Sequence, residues 1–331
     1  MLLLSSAKHL PCLFVTYMIL NDLIVLEKIS IFIPLICLVI TVQAQSQHRY
    51  KDLIFKDVTV TADQSYNPNA AKDEKKAYLF DLYQPKGDDA MHRPLIIWMH
   101  GGGFKFGSKT AKGIKLWSTT FAQRGYVCAA INYRLSKKNP LFNFDELQKS
   151  SYYAVQDVKV AVEYFKRNAV RYHIDPNRII LAGNSAGGMI ALQAAYSSNA
   201  ELANMAGLSA DTAAINKPRE RVKVAAIINF WGAIYDLNWL KNANVPIVSV
   251  LGSNDGIVPP THKSAPLYGG EDIHAKADAL GIPNKLKIFE GYSHELQKHF
   301  DPIFPVGAKT KTRWLEAGQF SADFLYDVFY K

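Results

Sequence analysis

Arg178-Ile179-Ile180-Leu181-Ala182-Gly183-Asn184-Ser185-Ala186-Gly187-Gly188 joins an apolar run to a Gly-x-Ser-x-Gly turn. The run predicts a buried strand over 178–182, and the residues after the turn predict a helix over 186–198. A turn this tight forces Ser185 into strained backbone angles and leaves no room for side chains at 183 and 187. The serine hydroxyl is then held above a sheet at a helix N-terminus. A glycine- and serine-rich loop that only caps a helix is the bland alternative; placement straight after a strand weighs against it.

The same alternation extends in both directions. Apolar and alternating runs predict strands over 54–61, 77–83, 95–99, 127–132, 224–230, 247–251 and 285–289, and helices over 114–124, 145–172, 272–280 and 312–329. Asp175-Pro176-Asn177 marks a turn after the helix of 145–172. Leu95-Ile96-Ile97-Trp98 and Ala225-Ala226-Ile227-Ile228 are apolar on both faces, as strands covered by helices on both sides must be. The expected fold class is therefore α/β, with a mostly parallel central sheet and helices on both faces. The first two strands are separated by a polar stretch with Asn67-Pro68 and no helix, which predicts an antiparallel N-terminal edge. The insertion at 201–221 is too short for a large cap domain.

His100-Gly101-Gly102-Gly103-Phe104 follows the strand of 95–99. Three consecutive glycines cost backbone entropy and add nothing to packing, so another group must approach their backbone closely. An oxyanion hole makes that demand, because bare N–H groups must come within about 3 Å of a developing negative oxygen. The amides of Gly102 and Gly103, joined by that of Ala186, are the expected donors. His100 is read as a structural hydrogen-bonder at the strand end. A phosphate loop is disfavoured, since Ser108 stands where the lysine of that motif belongs.

A serine hydroxyl is a poor nucleophile until an oriented base takes its proton. In a strand–helix architecture the chain order is serine, then acid, then histidine, each after a later strand. Asp255 lies in Gly252-Ser253-Asn254-Asp255-Gly256 after the strand of 247–251, and His294 lies in Gly291-Tyr292-Ser293-His294-Glu295 after that of 285–289. Ser185, Asp255 and His294 are thus the candidate catalytic residues. Asp236 stays open as an alternative acid; His262 and His274 are assigned to the surface. His294 and His299, five apart, point about 140° from each other on a helix, so they make no zinc pair. Neither a metal nor a cofactor is called for.

The chain has 331 residues, with 49% hydrophobic and 20% charged, which excludes disordered and low-complexity classes. Its net charge of +9 is dispersed without a nucleic-acid-binding motif, so it reads as a solvated surface and not a nucleic-acid partner. Residues 29–42 form a mostly apolar run after Lys28, ending in Val42-Gln43-Ala44. That pattern predicts a signal peptide cleaved after Ala44 and a secreted or periplasmic product, with residues 45–331 as one catalytic domain. Residues 10–26 are also largely apolar, leaving two alternatives: a translation start at Met18, or a membrane anchor through the N-terminal segment. Of the three cysteines only Cys128 lies beyond this segment, inside an apolar strand, where a buried thiol is expected.

HGGGF, GNSAGG, GSNDGIVP and GYSHE, in this order, resemble the α/β-hydrolase superfamily, and within it the esterase/lipase branch around hormone-sensitive-lipase-like and carboxylesterase enzymes. The resemblance spans about 78–299. It implies a serine esterase acting on carboxylic esters, with a small-molecule or carbohydrate-linked ester as its partner. Asn132-Tyr133-Arg134-Leu135 resembles a motif of that branch whose arginine pairs with an acid on the next helix, here Asp157. Residue 184 is Asn where many relatives carry Asp or Glu. The acid loop is similar to that of prolyl-oligopeptidase-like peptidases, which keeps a serine peptidase as an alternative beside a non-catalytic binding protein. An open, aromatic-edged site would suit short acyl groups on aryl or sugar alcohols, with Phe104, Phe106, Trp231, Tyr235 and Trp239 either lining it or packed in the core.

Overall fold

A computed structural model describes residues 49–208, 222–262, 267–302 and 306–331. The expected leader, its cleavage point and the alternative anchor all lie outside the described residues. Eight strands form one sheet: β1 (Val58–Ser65), β2 (Leu79–Pro85), β3 (Arg93–Met99), β4 (Val127–Ile131), β5 (Ile174–Asn184), β6 (Ala226–Phe230), β7 (Ile247–Gly252) and β8 (Asn284–Phe289). Their order is β1-β2-β4-β3-β5-β6-β7-β8. β1 pairs antiparallel with β2, and β2 antiparallel with β4; every later pairing is parallel. The antiparallel edge and parallel centre are those expected.

Six α-helices of more than one turn surround the sheet among the described residues: α1 (Lys112–Gln123), α2 (Phe144–Arg167), α3 (Ala186–Tyr196), α4 (Asn199–Met205), α5 (Gly270–Ala279) and α6 (Ala308–Tyr330). Because side chains alternate across a strand, each central strand feeds two cores. Leu95, Ile97, Met99, Ile179 and Leu181 pack with residues of α2 and α3. Ile96, Trp98, Ile180 and Ala182 pack on the other face with Trp117 of α1 and Trp314, Phe324 and Leu325 of α6. Each fully buried isoleucine here contributes about 1.5–3 kcal/mol. That two-faced demand is why β3 and β5 read as continuous apolar runs.

Several boundaries differ from expectation. β1 begins at Val58, because Ile54 and Phe55 spend their amides on the Gln123 carbonyl at the end of α1. α2 ends at Arg167, Asn168 interrupts it, and one further turn stops at His173, whose backbone is left-handed. The Asp175-Pro176-Asn177 turn exists, with Asp175 Oδ1 accepting the Asn177 amide, but it lies inside β5, where the register with β3 shifts. The short segment after α3 holds α4, opened by a capping box between Ser198 and Glu201; residues 209–221 lie outside the description. His274 corrects a reading: it is buried, not superficial, because α5 packs it toward β8, where its Nδ1 meets Asn284 Oδ1 at 2.6 Å. His262 is exposed and stacks on Tyr268.

Candidate active site

Parallel strands deliver their following loops to one end of the sheet, and every candidate site residue lies there. Ser185, between β5 and α3, has φ 52° and ψ −120°, a strained conformation that costs about 1–3 kcal/mol. Its amide donates to the Phe230 carbonyl at 2.8 Å, and its carbonyl accepts from Met189 at 3.0 Å, which holds the turn. A Cβ on Gly187 would lie 2.1 Å from the Met99 carbonyl oxygen, so α3 starts tight against the end of β3 only because that residue is glycine.

Ser185, His294 and Asp255 are brought together. Ser185 Oγ lies 2.9 Å from His294 Nε2, and His294 Nδ1 lies 2.7 Å from Asp255 Oδ2. A carboxylate only accepts, so Nδ1 carries the hydrogen and Nε2 is left to accept from the hydroxyl. Asp255 Oδ1 is occupied by the amides of Ile257 and Val258, both at 2.9 Å, which fix the carboxylate plane. Asp255 and His294 are almost wholly buried, and 9% of Ser185 is exposed. Ser185 is therefore the most exposed residue of the three.

The acid and histidine loops are stitched to each other, a feature the sequence motifs did not reveal. Ser253 donates its amide to Phe289, Asn254 donates to Tyr292, and Ser253 Oγ accepts the Gly291 amide at 2.8 Å. Phe300 stands edge-on to the His294 ring, with centroids 5.0 Å apart. Burial pushes the neighbouring Glu295 carboxyl above the usual range; the facing imidazole opposes that shift, and Asp255 adds to it.

Gly102 and Gly103 follow β3 in a turn closed by Lys105 and Phe106 amides on the Gly102 carbonyl. Gly102 has φ 107°, and a Cβ there would lie 2.3 Å from the Phe106 carbonyl oxygen. The amides of Gly102, Gly103 and Ala186 donate to no protein acceptor among the described residues. His100 is buried behind this turn, bonded through Nδ1 to the Gly101 carbonyl at 2.7 Å and stacked on Tyr133, whose hydroxyl donates to the His100 carbonyl. Burial lowers its pKa to about 4, so it is neutral and structural.

Other readings resolve individually. Asp236 turns its Oδ1 to the Asn238 amide and opens the short helix Leu237–Asn242. Phe104, Trp231, Tyr235 and Trp239 are buried, whereas Phe106 is 61% exposed beside the glycine turn. Arg134 and Asp157 form the expected ion pair at 2.6 Å.

The BD-FAE family model matches residues 80–255, just over half of the chain, from β2 to the acid loop. The chain belongs to the BD-FAE family. Its fold is the α/β-hydrolase fold: the structure of Thermogutta terrifontis esterase 2 phosphorylated by paraoxon aligns with a TM-score of 0.56 and 19% identity, covering 83% of this chain and 96% of that one. Among curated sequences, "Probable carboxylic ester hydrolase LipM" of Mycobacterium tuberculosis is 28% identical over 229 residues, 68% of this chain and 47% of that protein. Human bile salt-activated lipase is 32% identical over 139 residues, 39% of this chain and 17% of that protein. The match covers less than half the length of either curated relative.

Proposed function

We propose that this BD-FAE chain is a serine esterase that hydrolyses carboxylic esters, with Ser185, His294 and Asp255 as its catalytic triad. The observation that carries this reading is the unbroken hydrogen-bonded path from Ser185 Oγ through His294 to Asp255. His294 Nε2 takes the hydroxyl proton as Ser185 Oγ bonds to the ester carbonyl carbon. The carbonyl π pair moves to oxygen, and the amides of Gly102, Gly103 and Ala186 hold that charge. As the tetrahedral carbon collapses, the bond to the leaving alcohol breaks and His294 hands its proton to that oxygen. Water then attacks the acyl-enzyme by the same route, releasing the acid and restoring Ser185. Asp255 holds the imidazole tautomer and offsets its transient charge.

Short acyl groups on aryl or sugar alcohols are the proposed substrates. Leu141 Cδ2 would lie 2.2 Å from a Cβ on Gly103, so this half-exposed side chain rests against the glycine turn. Export is part of the same proposal, resting on the apolar run at 29–42 and the Val42-Gln43-Ala44 sequence. No helix among the described residues is long and apolar enough to cross a membrane.

Turnover of p-nitrophenyl acetate, butyrate and octanoate by wild type and Ser185→Ala tests the function. The variant is expected to lose about 10⁴-fold or more, and acetate is expected to outrun octanoate. Equal rates in the two proteins would remove Ser185 from its role. Faster anilide than ester cleavage would assign the chain to the peptidases.

A further inference from the structure

Arg313 and Trp314, in the second turn of α6, reach into the loop that carries His294. Trp314 Nε1 donates to the Glu295 carbonyl at 2.7 Å, and Arg313 Nε donates to the Leu296 carbonyl at 2.7 Å. Those two acceptor residues are the ones immediately after His294. Both are left-handed, with φ 56° each, and neither is glycine. Consecutive left-handed residues with side chains persist only where their surroundings over-determine them.

Inside the loop the restraints are few. Ser293 donates its amide to Gln297 at 2.7 Å, Leu296 donates to Ser293 at 3.1 Å, and Gln297 donates to His294 at 3.2 Å. These close a small turn after His294. The segment before His294 is tied to the Asp255 loop through Gly291 and Tyr292, and the segment after it is held by α6. The Arg313 guanidinium is itself held, donating to Thr310 Oγ1 at 2.8 Å and lying 4.1 Å over the Tyr292 ring on the other side of His294. Trp314 is locked in turn: its carbonyl accepts from Trp117 Nε1 at 2.9 Å. Its ring also packs 6.5 Å from Trp231, the side chain that meets the His294 ring at 6.5 Å. The C-terminal helix thus grips the backbone after the histidine and backs the ring that supports it.

We infer that Arg313 and Trp314 are positioning residues for His294. By holding the carbonyls of Glu295 and Leu296 they keep the left-handed pair in place and aim the imidazole between Asp255 and Ser185. The inference rests on the esterase reading above. Relaxation of either residue toward ordinary backbone angles swings the chain next to His294, and misplacement of a reacting group by about 1 Å costs on the order of 10²-fold in rate. Neither side chain need touch substrate for that loss.

Trp314→Phe keeps an aromatic ring and deletes the N–H, with no change of charge. Arg313→Ala removes the second donor from a half-buried site, and Arg313→Lys restores the charge and one donor. Functional sites are counted with a fluorophosphonate, so that misfolded protein does not lower kcat. Kinetics on p-nitrophenyl acetate are expected to show kcat per titrated site down about tenfold in Trp314→Phe and Arg313→Ala, with KM within twofold and partial recovery in Arg313→Lys. Unchanged kcat per titrated site in both variants, with only the melting temperature reduced, would overturn the inference and leave a purely structural helix. Absence of Ser185-dependent turnover in the wild type would instead overturn the esterase reading, and this inference with it.

Discussion

Asn184 Oδ1 lies 3.1 Å from the Gly101 amide nitrogen and accepts its hydrogen. The residue directly before Ser185 is thereby tied to the residue directly before Gly102. The Ser185 turn and the glycine turn follow different strands, β5 and β3, and this bond ties them together. Asn184→Ala removes an acceptor worth about 1 kcal/mol, which corresponds to a kcat about 5-fold lower on p-nitrophenyl acetate. Asn184→Asp keeps the acceptor and should recover most of that loss; an alanine variant as fast as wild type would count against the coupling.

Asp255→Asn should leave the fold intact, since Oδ1 still accepts from Ile257 and Val258. Its amide favours the wrong imidazole tautomer, and kcat is expected to fall about 10⁴-fold. Asp236→Asn, whose residue caps a short helix, is expected to stay within about twofold of wild type under the same assay. The opposite ranking would transfer the acid role to Asp236.

Asp157 is buried, and Arg134 holds it through Nε at 2.9 Å and through its own amide at 2.8 Å. Burial raises the Asp157 carboxyl above its usual range, and the guanidinium only partly reverses this. Arg134→Met strands a buried carboxylate and should destabilise the protein by about 3–5 kcal/mol in urea unfolding at neutral pH. Adding Asp157→Leu should return much of that stability. A single variant as stable as wild type would mean that water reaches the carboxylate.

His100 contributes a pH dependence to stability whose sign follows from its buried neutral state. Its folded pKa, about 4, lies below the ordinary value of 6.5, so only the unfolded chain binds the proton between them. The contribution is complete above pH 6.5 and lost as the pH falls toward 4. His274 is shifted in the same direction by burial, and Glu295 oppositely. Unfolding free energies of wild type and His100→Gln, measured from pH 7 to 4, should differ in slope by a total on the order of 2–3 kcal/mol across that range. Parallel curves would show that His100 is protonated in the folded protein.

The central strands were legible because β3 and β5 must be apolar on both faces, and a continuous run such as Leu95-Ile96-Ile97-Trp98 has few other uses. Ser185, Asp255 and His294 were legible because each follows a strand in a fixed order. The start of β1 was not, since it depends on carbonyls of α1 that are distant in the chain. Nor was the burial of His274, because a lone histidine on a helix has no partner until α5 meets β8.

Local sequence determined the sequence of strands and helices, the glycines that permit close approach, and the chemical groups at 185, 255 and 294. These are properties of short segments: hydrophobic period, backbone freedom and side-chain type. Tertiary structure alone decided that Asn184 bonds the glycine turn, that the acid and histidine loops are stitched together, and that α6 holds the carbonyls after His294. Each is a hydrogen bond between groups brought together by sheet order, and that order arises from burying two cores at once.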